Sequence, residues 1–301
     1  MTTIAFIGLG HMGGPMAANL VRAGFDVQGF DLVPELRDAA RDAGVAIAES
    51  AVAAAAQADI VLTMLPAGKF VLAVYSGEGQ ADGLGLLAVA KPGTLFLDCS
   101  TISVDEAREA ARLAVAAGHR ALDAPVSGGV VGAENATLAF MVGGEDADFA
   151  AALPALEAMG RRIVHCGGAG LGQAAKVCNN MILGISQIAV AEAFVLGERL
   201  GLANEALYEV ASNASGQCWA LTTNCPVPGP VPTSPANNDY KPGFAGALMS
   251  KDLGLAEQAI VSTGVDAKLG LLAREIYADY AAGEGAGRDF SGIIETIRDA
   301  S

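Results

Sequence analysis

Basic residues are scarce in this chain. Eighteen Lys and Arg stand against 33 Asp and Glu, a formal net charge of −15, and they are scattered without a basic run. Nucleic acid and anionic membrane surfaces both recruit clustered positive charge, so neither is expected as a partner. A small anion can still bind, but only where one site concentrates positive charge or backbone N–H groups. Cysteine is limited to Cys99, Cys166, Cys178, Cys218 and Cys225, an odd number with no CxxC spacing. With no recognisable signal peptide, reduced thiols and a cytoplasmic location are the expectation. The three histidines, His11, His119 and His165, form no HxxxH-type pair, and no metal site is expected. An uninterrupted membrane-length apolar run is missing too. The longest candidate, 181–197, is broken by Ser186, Gln187 and Glu192 and at 17 residues reaches only the short limit for a bilayer span. It reads as a buried helix of a soluble protein.

What is present is ample core material. Of 301 residues, 52% are apolar and only 17% charged, which excludes a disordered chain and fits two domains better than one. The first half alternates short β-rich runs with Ala-rich helical stretches. Strands are predicted at 3–8, 27–31, 60–64, 95–98, 120–123, 139–142 and 163–165, and helices at 12–23, ended by Gly24, and at 104–117, with Ser103 as N-cap. This alternation implies an α/β, Rossmann-type doubly wound sheet, mostly parallel. From Leu171 the rhythm changes to helices alone, at about 171–200, 204–214, 244–262, 267–280 and 290–298. The reading is therefore a nucleotide-binding domain at 1–168 and an all-α domain at 169–301. Between the helices lies a stretch of about 28 residues holding Pro226, Pro228, Pro230, Pro232, Pro235 and Pro242, six of the twelve prolines. A structureless loop of that length is either functional or a proline-stiffened excursion packed on its own domain.

Gly8-Leu9-Gly10-His11-Met12-Gly13 follows the first strand directly and opens a helix. A lone GxGxxG is a weak signal, but strand, turn, helix and second strand here fall in the required order. The glycines allow a tight turn, backbone approach to a pyrophosphate and close helix–strand packing, while the helix N-terminus offers N–H groups to the phosphates. Asp31 ends the second strand, 18 residues after Gly13. A carboxylate there accepts from both ribose hydroxyls and repels a 2′-phosphate. Leu32-Val33-Pro34 offers no cation for such a phosphate, although Arg37 is not far off, so NAD is favoured over NADP.

Four ordered segments extend the reading. IAFIGLGHMGGPMAANL at the start, LDAPVSGG (Leu122–Gly129), GLGQAAKVCNN (Gly170–Asn180) and KDLGLA (Lys251–Ala256) resemble the signatures of the β-hydroxyacid dehydrogenase family, essentially end to end. The proline-rich stretch resembles that of its hydroxyisobutyrate branch. The resemblance implies Lys176 as the catalytic lysine, Asn180 as its partner, and Ser127, Gly128 and Gly129 as the holders of a substrate carboxylate. It also places Leu65, Pro66 and Thr101, with Gly8, Gly10, His11, Met12, Gly13 and Asp31, along the dinucleotide, and Lys251 and Asp252 near its nicotinamide end. At none of these positions does the chain depart from the family pattern. The implied substrate is a small 3-hydroxy acid, 3-hydroxyisobutyrate in valine breakdown, and the implied cofactor is NAD.

These residue types suit the chemistry. Alcohol oxidation by hydride transfer needs a base for the hydroxyl proton. An ordinary ammonium is a poor one, so Lys176 requires burial or a cationic neighbour such as Lys251. Lys176 and Asn180, four apart, share one helix face. On residue type alone, a single Lys on an apolar helix reads as a snorkelling surface residue. Ser127-Gly128-Gly129 is expected to be a turn with free N–H groups, a small anion nest, or else a plain linker. Trp219 and Phe244 are either walls for the substrate methyl or ordinary core aromatics. The rival readings are a reductase of tartronate semialdehyde or glyoxylate type, a sugar-acid phosphate dehydrogenase, an imine reductase and a catalytically silent dinucleotide-binding module. The helix from Leu171, apolar nearly all round, is expected to be buried on most sides; 133 residues offer little cover, so a homodimer or homotetramer is expected.

Overall fold

Strand β1 (Thr3–Ile7) is covered on both sides, with Ile4 and Phe6 in one apolar cluster and Ala5 and Ile7 in another. A strand apolar on both faces belongs in the interior of a parallel sheet. With β2 (Asp26–Phe30), β3 (Ala46–Ile47), β4 (Ile60–Thr63), β5 (Leu95–Asp98) and β6 (Arg120–Asp123) it forms the parallel order β3-β2-β1-β4-β5-β6. Beyond β6 the sheet turns mixed. There β7 (Val126–Ser127) pairs antiparallel with β8 (Leu138–Gly144), which is antiparallel to β6 and parallel to β9 (Gly160–Gly167). The computed structural model describes residues 1–79 and 83–300.

Helices close both faces of the sheet. Residues of α1 (Gly13–Arg22), α2 (Pro34–Asp42) and, after β8, a fourteen-residue helix at Asp146–Met159 join the cluster around Ile4 and Phe6. Those of α3 (Ala51–Ala55), α4 (Gly68–Ser76), α5 (Leu86–Val89) and α6 (Val104–Ala116) join the cluster around Ala5 and Ile7. A short α7 (Gly129–Glu134) follows β7, and the Asp146–Met159 helix is α8. The predicted N-cap of α6 is present as a full capping box: Ser103 Oγ accepts from Glu106 N–H, and the Glu106 carboxylate accepts from Ser103 N–H at 2.9 Å. The seven predicted strands all exist within a few residues of their expected ends. The two-residue strands β3 and β7 were not foreseen, being too short to carry a period.

The chain divides into two units, Met1–Lys176 and Val177–Ser301, and the division falls inside α9 (Leu171–Arg199), eight residues past the 168/169 boundary read from the sequence. From α9 onward the described residues form no named strand, as expected. The remaining helices are α10 (Asn204–Ser212), α11 (Trp219–Thr222), α12 (Gly246–Thr263), α13 (Lys268–Ala281) and α14 (Ile293–Asp299). Ile188, Ala191 and Phe194 of α9 pack with Leu253, Tyr277, Phe290 and Ile294 in the core of the second unit. Arg298 on α14 grips Glu198 on α9 at 2.6 Å, pinning the C-terminal helix.

The proline-rich stretch is not the structureless loop the sequence suggested. It contains α11 and a 3-10 turn at Pro235–Asn238, and Cys225, Val227 and Val231 are buried in the second unit's core. Asp289 is its anchor, accepting from the N–H groups of Gly243 and Phe244 at 3.0 Å and from the Asn224 amide at 3.2 Å. Tyr240 donates its hydroxyl to Pro226 O at 2.7 Å. Phe244 meets Phe290 edge-on in that core, whereas Trp219 is half exposed. Within a single chain α9 is only partly covered. By length and composition it could cross a membrane, yet only half of its most apolar window is buried, and Ile182, Leu196 and Leu171 are exposed.

Candidate active site

In the order β3-β2-β1-β4, the chain leaves β1 toward β2 and returns on its other side as β4. The crevice outside their carboxyl ends is therefore the topological switch point, where sheets of this kind take their ligands. The predicted dinucleotide residues of the first unit all lie at such strand ends. Gly8–Gly13 follow β1, Asp31 follows β2, Leu65 and Pro66 follow β4, and Thr101 follows β5.

The three glycines of the turn differ in what surrounds them. Gly8 has φ +98°, and a Cβ there would lie 2.3 Å from Met64 O; a Cβ on Gly13 would lie 1.9 Å from Gly8 O. Both are required by packing. Around Gly10, in contrast, nothing lies within 4 Å of where a Cβ would be. The backbone there is open to an approaching group, as a pyrophosphate requires. No acidic side chain occupies the first turn of α1 and Met12 makes no side-chain cap, so the helix N-terminus keeps its positive character for phosphate. His11 is exposed and Met12 half-buried. The Asp31 carboxylate accepts from Leu9 N–H at 2.7 Å and Val33 N–H at 2.9 Å, which fixes it beside the glycine turn. Arg37, noted from the sequence as near, donates to Asp31 O at 3.1 Å and lies over the Phe30 ring. The residues present fit an NAD site.

The Ser127–Gly129 segment differs from the expected open turn. Ser127 closes strand β7, paired with Ala139, and the turn is confined to Gly128 and Gly129, with φ of +131° and +61°. Gly128 O accepts from Gly132 N–H at 3.0 Å as α7 begins. Ser127 is half-buried and Gly128 exposed.

Lys176 is only 6% exposed. That removes the reading of a snorkelling surface lysine, whose ammonium would reach water. Farther along α9, in the second unit, Asn180 is buried and donates its amide to Asp252 Oδ2 at 2.6 Å, while its own oxygen accepts from Asn179 at 3.0 Å. Asp252 is buried in α12, and the preceding Lys251 is half-buried.

Sequence reasoning missed a buried polar group beneath the first unit's strand ends. Asp98 accepts from Thr63 Oγ1 at 2.7 Å and Ser100 N–H at 3.1 Å, while its second oxygen has no hydrogen-bond partner among the described residues. Beside it is a cavity of about 10 Å³ lined by Tyr75, Phe96, Leu122 and Asp123 among others, the room one water needs. Ser100 Oγ accepts from Leu65 N–H at 2.8 Å. Asp123 accepts from Gly170 N–H at 2.6 Å and Gln173 N–H at 2.8 Å. The available signal was faint: an Asp ending each of two adjacent apolar strands.

Burial raises the Asp98 pKa from 3.8 to about 6, against the opposing hydrogen bonds from Ser100 and Thr63. Because the folded state holds this proton more tightly than the unfolded chain, its stabilising contribution is full below about pH 4 and is lost as pH rises through 6. The shift corresponds to about 3 kcal/mol. Urea denaturation of Asp98→Asn across pH 4 to 8 is expected to lack this loss. A variant with the same pH slope as wild type would contradict the assignment.

Comparison with known proteins agrees with this geometry. Residues 3–168 match the NAD-binding domain of 6-phosphogluconate dehydrogenase, and residues 170–297 match the model described as NAD-binding of NADP-dependent 3-hydroxyisobutyrate dehydrogenase. A probable 3-hydroxyisobutyrate dehydrogenase of Mycobacterium tuberculosis is 58% identical over 298 residues, covering 99% of this chain and 98% of that protein. An NAD-dependent L-serine dehydrogenase of Pseudomonas aeruginosa is 46% identical, covering 99% of this chain and 98% of its own length. Among solved structures, the Mycobacterium tuberculosis 3-hydroxyisobutyrate dehydrogenase with L-serine superposes with a TM-score of 0.95 at 58% identity, covering 99% of each chain. The chain belongs to the 3-hydroxyisobutyrate dehydrogenase family of NAD-dependent oxidoreductases.

Proposed function

We propose that the chain oxidises 3-hydroxyisobutyrate to methylmalonate semialdehyde, as in valine breakdown, with Lys176 as the acid–base. The observation that carries this reading is the burial of Lys176, at 6% exposure, in a chain of this family. Burial disfavours the charged form of an amine, the direction a lysine base requires. NAD, when bound, supplies the hydride acceptor. The neutral Lys176 amine takes the hydroxyl proton as the substrate carbon gives up its hydride, and the alcohol becomes an aldehyde. In the reverse direction the Lys176 ammonium returns that proton to the aldehyde oxygen.

The remaining roles are those that the family resemblance implies. Ser127, Gly128 and Gly129 hold the substrate carboxylate, a hydroxyl and backbone N–H groups serving where the chain has few cations. Asn180 orients the reacting group, its own amide steadied by Asp252. Gly8, Gly10, His11, Met12 and Gly13 receive the pyrophosphate, Asp31 the ribose, Leu65, Pro66 and Thr101 line the dinucleotide, and Lys251 and Asp252 serve its nicotinamide end.

A second substrate has a specific observation in its favour. A relative is named an L-serine dehydrogenase, and the similar solved structure is of the Mycobacterium tuberculosis enzyme with L-serine. Serine shares the carboxylate and the primary alcohol of 3-hydroxyisobutyrate and carries an ammonium in place of the methyl. NADH formation at 340 nm decides. We expect a higher kcat/KM for 3-hydroxyisobutyrate than for L-serine, weaker turnover with NADP, and a loss of about 100-fold or more in Lys176→Ala. Undiminished turnover in that variant would remove the lysine from the chemistry. A preference for L-serine, or for reducing tartronate semialdehyde, would move the substrate and leave the lysine.

We also propose a homo-oligomer, a dimer or tetramer. Ile182 and Leu196 on α9 and Leu269 and Leu272 on α13 are more than half exposed, more apolar surface than one copy covers. Light scattering at micromolar concentration is expected to give at least twice the chain mass. A monomer mass would refute it.

A further inference from the structure

Helix α9 carries Lys176 in its second turn, and its start is held in an unusual way. The first N–H groups of a helix lack intrahelical partners and are ordinarily met by a nearby Ser, Thr, Asp or Asn in the sequence. Here the cap comes from afar. Asp123, at the end of β6 and 47 residues before Gly170, accepts from Gly170 N–H at 2.6 Å and from Gln173 N–H at 2.8 Å, one carboxylate oxygen for each.

The seat admits no displacement. A Cβ on Gly143 of β8 would lie 2.5 Å from Asp123 Oδ1 and 2.7 Å from Gly172 N. A Cβ on Gly172 would lie 2.3 Å from Met141 O and 2.8 Å from Asp123 Oδ2. Strand and helix therefore touch backbone to backbone, and only glycine allows the approach.

Gln173, one helical turn before Lys176, is fully buried and uses both ends of its amide. Its Nε2 donates to Ser100 O at 2.7 Å and its Oε1 accepts from Ile102 N–H at 3.3 Å. Thr101 lies between those two positions, and Ser100 Oγ in turn accepts from Leu65 N–H. One hydrogen-bonded chain thus runs from the loops after β4 and β5 to the turn preceding Lys176. A buried carboxylate is a costly way to cap a helix that a surface serine could cap, since burial disfavours its charged form.

We propose that Asp123 and Gln173 are positioning residues that set the reach of Lys176 relative to the dinucleotide-lining loops. The proposal rests on the acid–base reading of Lys176. Misplacing a reacting group by about 1 Å costs on the order of 100-fold in rate, whereas a helix cap lost from a purely structural role leaves the folded enzyme's chemistry intact.

The test uses the full chain with 3-hydroxyisobutyrate and NAD. Asp123→Asn keeps size and one acceptor oxygen, and Gln173→Met keeps volume while removing both hydrogen bonds; the second serves should the first not fold. We expect kcat to fall by about tenfold to 100-fold in either variant, counted per folded molecule by circular dichroism. The primary deuterium isotope effect on kcat, using substrate deuterated at the carbinol carbon, should rise as hydride transfer becomes limiting. Wild-type kcat and isotope effect in a folded variant, with only a lowered melting temperature, would overturn the proposal and leave Asp123 and Gln173 as plain stabilisers. Lys176→Ala run alongside separates the two claims: if it turns over like wild type, the acid–base reading fails together with the proposal. If it is inactive while the Asp123 and Gln173 variants behave as wild type, only the positioning proposal fails.

Discussion

The meeting of the Asp123 carboxylate with the first turn of α9 is the contact on which the proposed placement of Lys176 depends. It joins β6, the end of the parallel run β3-β2-β1-β4-β5-β6, to the helix that bears Lys176, at hydrogen-bond lengths of 2.6 and 2.8 Å. Gly143 and Gly172 exist in that place because a methyl group on either would drive strand and helix apart. The N-terminus of a 29-residue helix carries positive partial charge, and a carboxylate placed there is stabilised by it. Sheet register, helix dipole and the location of the lysine are in this way one arrangement.

The same economy governs how an acidic chain receives anions. With a net charge of −15 it has few cations to place, and in the proposed site backbone N–H groups at glycine turns and helix starts would serve instead. Gly10 is left open to solvent while Gly8 and Gly13 are closed in by their neighbours, a division of labour legible in what a Cβ would strike at each. Asp31 is held by Leu9 and Val33 N–H groups, and in the proposed site its charge would suit a ribose and repel a 2′-phosphate.

Much of this was legible from the residues alone. Apolar runs bounded by turn residues located seven strands, because a strand buried on both faces must be apolar throughout, and the change from strands to helices after Leu171 marked the second unit. Local chemistry located the glycine turn, Asp31 and the Ser103 cap. Three features were beyond it. Strands β3 and β7 are two residues long and owe their existence to their neighbours. The proline-rich stretch is ordered by Asp289 and Tyr240, contacts that no local pattern announces. Asp98, Asp123 and Gln173 act through partners 35 to 73 residues away, and nothing in their immediate sequence distinguishes them from ordinary strand-end and helix residues. Lys176 lies between these cases: residue type alone pointed to the surface, family resemblance to the site, and the residue is buried.

A crystal structure of the chain with NAD and 3-hydroxyisobutyrate bound tests the central claim most directly. The account predicts the substrate hydroxyl oxygen about 2.6–3.2 Å from Lys176 Nζ, with the carboxylate on Ser127 and the Gly128–Gly129 turn. A hydroxyl out of reach of Lys176 and bonded to another proton acceptor, or a carboxylate bound away from that turn, would contradict it.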